Sequence, residues 1–367
     1  MKRYNWEQND WPNFTFTLVE MDSLFTQIHR NEGKYDGIVS TMPKDLQATT
    51  IIDLMVEEAI KTSEIEGEFF SRKEVLSSIK KNLGVHSKAI VQNKNAEGVC
   101  KVMVDVRKTF AEPLTEQKLF DWHKMLLPTA KDIEIGKWRT HTEPMQIVSG
   151  ALGKRKIHFE ALPSKQVPKE MKQYINWFNN TAPNGKKPIH NAVVRAAIAH
   201  LYFESIHPFE DGNGRIGRAL SEKVLSQGNE RPVLLSLSYA VEKNKKDYYA
   251  QLQKAQQQNE ITKWIKYFVL TVLEAQKFAA QQIGFTLKKV AFWDKYKPNL
   301  NARQQKAIKR MLEEGIDDFE GGMNATKYGS LNKISKATAT RDLQELFALG
   351  VFKVFGGGRS TSYLLNL

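Results

Sequence analysis

The sequence predicts a mainly α protein. Three observations carry this expectation. Long segments repeat apolar residues at helical spacing, prolines fall between those segments, and strand-like patterns are confined to two short glycine-centred stretches. At 367 residues the chain has material for two or three domains and a sizeable core. Its hydrophobic fraction of 41% and charged fraction of 26% are those of a globular protein. A net charge of +13 favours anionic partners such as nucleotides, nucleic acid or acidic protein surfaces. Cys100 is the sole cysteine, which excludes an intrachain disulfide and points to a reducing compartment. No apolar run follows Met1 and none is long enough to span a bilayer, so a cytoplasmic protein without membrane association is expected.

Taken in order, the first forty residues read as irregular, and Trp6 and Trp11 are expected to pack on the core. A helix is expected over Lys44–Glu66, with Ile51, Ile52, Leu54, Met55, Val56 and Ile60 as its apolar face and Gly67 as its stop. Ser71-Arg72-Lys73-Glu74 has the form of a capping box for the next helix. Further helices are expected over Asn93–Phe110, Thr115–Leu126, Pro168–Asn179, Asn191–Ile206, Gly214–Gln227, Val241–Gln257 and Glu260–Ile283. Pro113, Pro128, Pro163, Pro188 and Pro232 separate them, and Pro168 sits at a helix start where its missing N–H is harmless. Met145–Gly150 and Lys156–Phe159 flank a basic, glycine-containing turn and read as a hairpin. A polar stretch at Tyr296–Asn301 reads as a linker. Beyond it come helices over Ala302–Glu314, Asn324–Leu331 and from Ser335 through Leu349. Strands then flank Gly356–Gly358. That order resembles a winged helix-turn-helix. The expected domains are 1–85, 86–290 and 298–367.

The chemistry concentrates in His207-Pro208-Phe209-Glu210-Asp211-Gly212-Asn213-Gly214-Arg215-Ile216-Gly217-Arg218. Asn191–Ile206 is apolar all round and reads as a buried central helix, so His207 would sit at the end of a rigid element. An imidazole there is suited to taking a proton from a hydroxyl near neutral pH. Asp211 is a hard oxygen ligand, and one carboxylate plus nucleotide phosphates is a common way to hold Mg²⁺. Gly212-Asn213-Gly214 can aim backbone N–H groups at an anion, and the helix starting there adds its positive end. Arg215 and Arg218 share a helix face, and each can fork onto phosphate oxygens. Singly these features are ordinary, whereas together they describe a phosphate-handling site. No P-loop sequence occurs, which disfavours a P-loop ATPase.

The pattern His-x-Phe-x-Asp-Gly-Asn-Gly-Arg-x-x-Arg resembles the signature of Fic proteins, with every fixed position present. The resemblance covers roughly residues 90–285. It implies a helical bundle with a β-hairpin flap and transfer of AMP from ATP to a protein hydroxyl, with Mg²⁺ as cofactor. By that resemblance His207 is the general base, Asp211 holds Mg²⁺, and Gly212, Asn213 and Gly214 line an anion hole. Phe209 packs the loop into the core. Residues from Arg215 through Ile216 and Gly217 to Arg218 bind the β- and γ-phosphates. Thr62-Ser63-Glu64-Ile65-Glu66-Gly67 is similar to the inhibitory helix of the family, which implies that Glu66 pairs with Arg218 and competes with the γ-phosphate. Tyr248 and Tyr249 fall where family members carry a tyrosine pair beside the adenine, and aromatic faces suit base stacking. The hairpin at 145–159 resembles the flap that docks a target segment by strand addition. Its basic turn, Lys154, Arg155 and Lys156, would favour an acidic target. His200 is seven residues before His207, on a similar helix face within an apolar run, and reads as structural.

Other readings remain open at this level. The same core can remove AMP from targets, with Glu66 positioning water. A DNA-binding regulator whose core senses nucleotide is the alternative from another class. Lys336, Thr338, Thr340 and Arg341 on the last helix, with Lys353 and Arg359 on the wing, could meet DNA. Glu313, Glu314, Asp317, Asp318 and Glu320 make part of that module acidic, so protein docking or homodimer formation fits equally.

Overall fold

The computed structural model describes residues 3–85, 93–149, 156–315, 319, 321–357 and 361–367. In chain order the helices are α1 (Asp22–Ser40), α2 (Lys44–Ile65), α3 (Arg72–Asn82), α4 (Lys94–Lys108) and α5 (Glu116–Leu126). The hairpin strands β1 (Gln146–Ser149) and β2 (Lys156–Glu160) follow. Next come α6 (Val167–Asn180), α7 (Ala192–Ile206), α8 (Asn213–Gly228), α9 (Leu237–Lys243), α10 (Lys245–Ala255) and α11 (Thr262–Tyr296). The last elements are α12 (Ala302–Leu312), α13 (Ala325–Asn332), α14 (Lys336–Ala348), β3 (Phe352–Phe355) and β4 (Ser362–Leu365). The chain divides into compact units at Met1–Ala279 and Ala280–Leu367. No helix among the described residues is long and apolar enough to cross a membrane.

In the first unit α7 is the central helix, and every residue from Val193 to Ile206 is buried. A helix apolar on all sides has no solvent face to present, so its neighbours enclose it. Asn191 caps it, its side-chain oxygen accepting from the N–H groups of Val193 and Val194 at 3.0 and 3.1 Å. Helix α8 lies close against α7 at two glycines. A Cβ on Gly217 would come within 2.4 Å of Glu204 Oε1, and one on Gly228 within 2.3 Å of the Ala192 Cβ. Helix α2 is buried along most of its second half, from Leu54 to Ile65, with Lys61 and Glu64 half-exposed.

Strands β1 and β2 form a two-stranded antiparallel sheet, pairing Gln146 with Glu160 and Ile147 with Phe159, with a bulge after Ile147. Lys154 and Arg155 lie outside the described residues.

Five expectations differ from the structure. Residues 22–40 form α1 rather than irregular chain. Its buried face is only Phe25, Ile28 and Val39, with Gly33 and Gly37 between them, so its apolar pattern is sparse. The single helix expected over Val241–Gln257 is two, broken where Asn244 leaves helical geometry at φ −126°, ψ 39°. The helix expected to end at Ile283 runs on to Tyr296, because Phe285, Phe292 and Trp293 extend the apolar pattern into the second unit's core. The boundary between units therefore falls inside α11, not in the polar stretch near Pro298. Ser71 does cap α3, at 3.3 Å from Glu74 N, but the Glu74 carboxylate accepts from the Ser71 hydroxyl, so the reciprocal half of the capping box is missing.

The second unit has the expected order of helix, helix, helix, hairpin. Ile308, Met311, Leu343, Leu346 and Val351 are central to its core. Buried Asp342 accepts from Arg303 and from the Tyr328 hydroxyl, and the Arg303 hydrogen bonds hold its carboxyl below the usual range. Lys336, Thr340, Arg341 and Lys353 are exposed, and Thr338 is half-buried. Arg359, Asp317, Asp318 and Glu320 lie outside the described residues.

Candidate active site

His207 is the first residue beyond α7 and turns the chain sharply, at φ 49° and ψ 62°. A non-glycine residue in the left-handed region is strained and needs support from its surroundings. Arg139 supplies it. Its guanidinium is 2% exposed and donates to the carbonyls of His207 (2.8 Å), Ile206 (3.2 Å) and Leu162 (2.6 Å), and to Ser164 Oγ (2.7 Å). The Arg139 N–H also holds the Pro208 carbonyl at 2.9 Å. Glu204, one turn earlier on α7, places Oε2 3.6 Å from His207 Nδ1. That is an ion-pair distance once the ring is protonated, and too long for a hydrogen bond. Burial pushes the Glu204 carboxyl up, but His207, His200 and Arg218 outweigh it, so it stays ionised. Glu204 Oε1 is buried with no hydrogen-bond partner among the described residues.

The loop after His207 is pinned from below. Phe209 is fully buried, stacked on His123 at 4.1 Å between ring centres, with Trp138 at 5.0 Å. Burial pushes the His123 imidazole down to about 4, so it is neutral at physiological pH, and its Nδ1 accepts from Gly136 N at 2.8 Å. The Asn213 side chain closes the loop on itself, accepting from Phe209 N (3.0 Å) and donating to Phe209 O (2.8 Å). Gly212 takes φ 82°, caps α8 without a side chain, and turns its N–H to Asp211 Oδ1 at 2.6 Å. The first turn of α8 thus starts without a side-chain cap, which is the arrangement that receives anions. Asp211 is 60% exposed, and its Oδ2 lies 3.6 Å from Arg215.

Both arginines are almost fully buried and both already have partners. Arg218 donates Nε to Thr62 Oγ1 (2.8 Å) and Nη2 to Thr62 O (2.9 Å) and Glu66 Oε1 (2.8 Å). Burial alone would weaken its charge, but the Glu66 carboxylate outweighs this and raises its pKa. Arg215 donates Nη1 to Glu68 Oε2 at 2.9 Å.

One cavity of about 580 Å³ gathers much of this chemistry. His207, Gly214, Arg218, Glu66, Tyr248 and Tyr249 line it, with Glu204 at its wall and Ile147, His158 and Phe159 of the hairpin at its rim. Asp211, Gly212, Asn213 and Arg215 belong to the adjoining loop and the first turn of α8 and do not line that cavity. Ile216 and Gly217 are turned away from it. Ile216 is fully buried and Gly217 lies beneath Glu204, so these two serve the packing of α8 on α7. Tyr248 is buried with its hydroxyl 2.8 Å from His200 Nε2, while Tyr249 is 39% exposed. His200 is structural: it stacks on Trp264 and its Nδ1 lies 3.2 Å from Ser221 Oγ.

Sequence reasoning missed Arg139, Glu204, Glu68 and His123. Glu204 was open to inference, because it stands three residues before His207 on the same helix face. Glu68 had a weaker signal, a second acidic residue just past Gly67. Nothing local marks Arg139 or His123, which meet the loop only through folding.

The helical bundle brings a histidine, a carboxylate and two arginines to the uncapped N-terminus of α8. Residues 113–225 match the Fic/DOC family and residues 4–85 match a domain of unknown function, DUF4172, so the chain carries a Fic/DOC domain. Protein adenylyltransferase fic-1 of Caenorhabditis elegans is 25% identical over 219 residues, which is 57% of this chain and 39% of that protein. Protein adenylyltransferase Fic of Nematostella vectensis is 24% identical over 194 residues, 41% of its length. The chain thus spans well under half the length of these curated relatives. A Fic family protein from Desulfovibrio desulfuricans G20 shares the fold across 97% of this chain and 98% of its own, with a TM-score of 0.53 and 19% identity.

Proposed function

We propose that this protein transfers AMP from ATP to a hydroxyl side chain of a target protein, and that Glu66 restrains it. The observation that carries this reading is the meeting of His207, Arg218 and Glu66 at one cavity beside the hairpin. His207 takes the proton of the acceptor hydroxyl, and the acceptor oxygen bonds to the α-phosphorus. The bond from that phosphorus to the bridging oxygen breaks, and pyrophosphate leaves with Arg215 and Arg218 neutralising its charge. Glu204 Oε2 lies 3.6 Å from His207 Nδ1, on the side of the ring opposite Nε2. The uncapped start of α8 faces the phosphates. Tyr249 offers a face to the adenine, and Tyr248 supports it with its ring 5.1 Å away.

Asp211 fits Mg²⁺. A lone, exposed carboxylate suits a cation that takes most of its ligands from substrate and water. Among the described residues no cluster of three or more His, Cys, Asp or Glu offers a protein-only cage. The ion would supply charge neutralisation at the phosphates.

The test is transfer of label from ATP labelled at the α-phosphate, comparing Glu66→Gly with Glu66→Gly/His207→Ala. Label on protein with the first and none with the second is expected. No label with either, both being folded, would leave a nucleotide sensor and remove the enzyme reading.

A further inference from the structure

The N-terminal segment, within the region that matches a domain of unknown function, reaches the hairpin of the candidate site. Glu7 closes a turn over residues 3–7 by accepting from Arg3 N (2.6 Å) and Tyr4 N (2.8 Å). Asn5 is fully buried and anchors this turn twice. Its backbone N–H donates to Gln256 O and its side chain donates to Ser205 Oγ, each at 2.8 Å. Ser205 lies two residues before His207, and Gln256 lines the cavity. So anchored, the turn presents two aromatic rings to the hairpin. Tyr4 meets Phe159 edge-on at 5.1 Å between centroids, and Trp6 Nε1 donates to Glu160 O at 2.8 Å. Tyr4, Phe159 and Ala161 form a small core of their own, with Trp6, Met145 and Ile147 packed against it.

This anchoring has a direction. A two-stranded sheet is marginal by itself and needs outside support. The carbonyls of His158 and Glu160, two residues apart, point to the same edge of β2. Gln253 Nε2 takes the first at 3.2 Å and Trp6 Nε1 takes the second. Both donors are side chains, so they cover that edge without adding a strand. Among the described residues β1 pairs with β2 alone, which leaves its outer edge for pairing.

We propose that Tyr4, Asn5 and Trp6 are positioning residues for acceptor docking. They hold the hairpin against α7 and α10 at a set height above His207, occupy the β2 edge, and so direct an extended acceptor segment to β1. The role in transfer rests on the function proposed above, whereas the bracing of the hairpin does not.

Trp6→Phe keeps an aromatic ring, smaller than the indole, and removes the N–H donor. It is compared with the parent in the full chain carrying Glu66→Gly. Amide hydrogen exchange over 146–149 and 156–160 is expected to accelerate about fivefold, as suits the loss of one hydrogen bond. AMP label on the protein's own acceptor sites should fall several-fold, while pyrophosphate release with water as acceptor stays within about twofold, since that reaction needs no docked segment. Unchanged exchange in the hairpin overturns the bracing role. Equal loss of labelling and pyrophosphate release overturns the docking role, because it signals general damage to the site. Tyr4→Leu provides a second variant should Trp6→Phe prove unstable, with the same expected split. If the Glu66→Gly parent transfers no label at all, the transfer reading fails, and the exchange measurement still decides the brace.

Discussion

Replacing Glu66 with glycine should activate the protein and weaken its fold at the same time. Glu66 Oε1 lies 2.8 Å from Arg218 Nη2, with the Arg218 side chain 1% exposed and the Glu66 side chain 30% exposed. A charge-assisted hydrogen bond contributes about 1.5–3 kcal/mol, and the partial exposure of the carboxylate places this one in the lower half. Freeing about 1.5–2 kcal/mol of competition corresponds to roughly 10- to 30-fold in apparent nucleotide affinity. Arg218 would not swing away, because Thr62 still receives two of its hydrogen bonds. The guanidinium stays buried with one partner fewer, so the melting temperature should fall by a few degrees. The assays are titration of ATP against label transfer, and a thermal melt. Unchanged affinity and labelling in a protein with the lowered melting temperature would refute the restraint, since the contact would then be only structural.

Glu68→Gln should weaken the 2.9 Å contact to Arg215 and raise apparent nucleotide affinity about two- to fivefold. Combined with Glu66→Gly the gains should multiply if the two pairs act independently, which the same titration checks. A pH effect is expected at Glu222, whose carboxyl is pushed up to about 8 by burial and then by Glu58, with Arg107 opposing. A carboxyl raised in the folded state favours folding below its unfolded pKa. That stability is lost as pH rises from about 4.5 towards 8. Thermal melts across this range should show the wild type losing more stability than Glu222→Gln, and parallel curves would count against it.

Much of the site was legible because its residues are contiguous. His207 through Arg218 form one helix end, one turn and one helix start, and short-range rules fix what such a segment can do. The fold was legible where apolar spacing was dense, as in α2 and α7, and where Asn191 or Ser335 provided a cap. It was obscured in α1, where two glycines interrupt a thin buried face. It was also obscured at Asn244, a break with no proline or glycine to announce it. In α11 the polar end of the helix concealed a continuing row of aromatic residues.

The amino-acid order alone carried the stretch from His207 to Arg218, the helical class and the acidic residue before Gly67. Each of these is a property of near neighbours along the chain. Folding supplied the pairs that cross it: Arg139 on the carbonyl of His207, Glu68 on Arg215, His123 under Phe209, and Trp6 on the edge of β2. Such contacts join residues from 68 to 154 positions apart by number, for example Arg139 and His207 or Trp6 and Glu160. No local propensity encodes them, because what selects each partner is the shape and burial of the space where the helices meet.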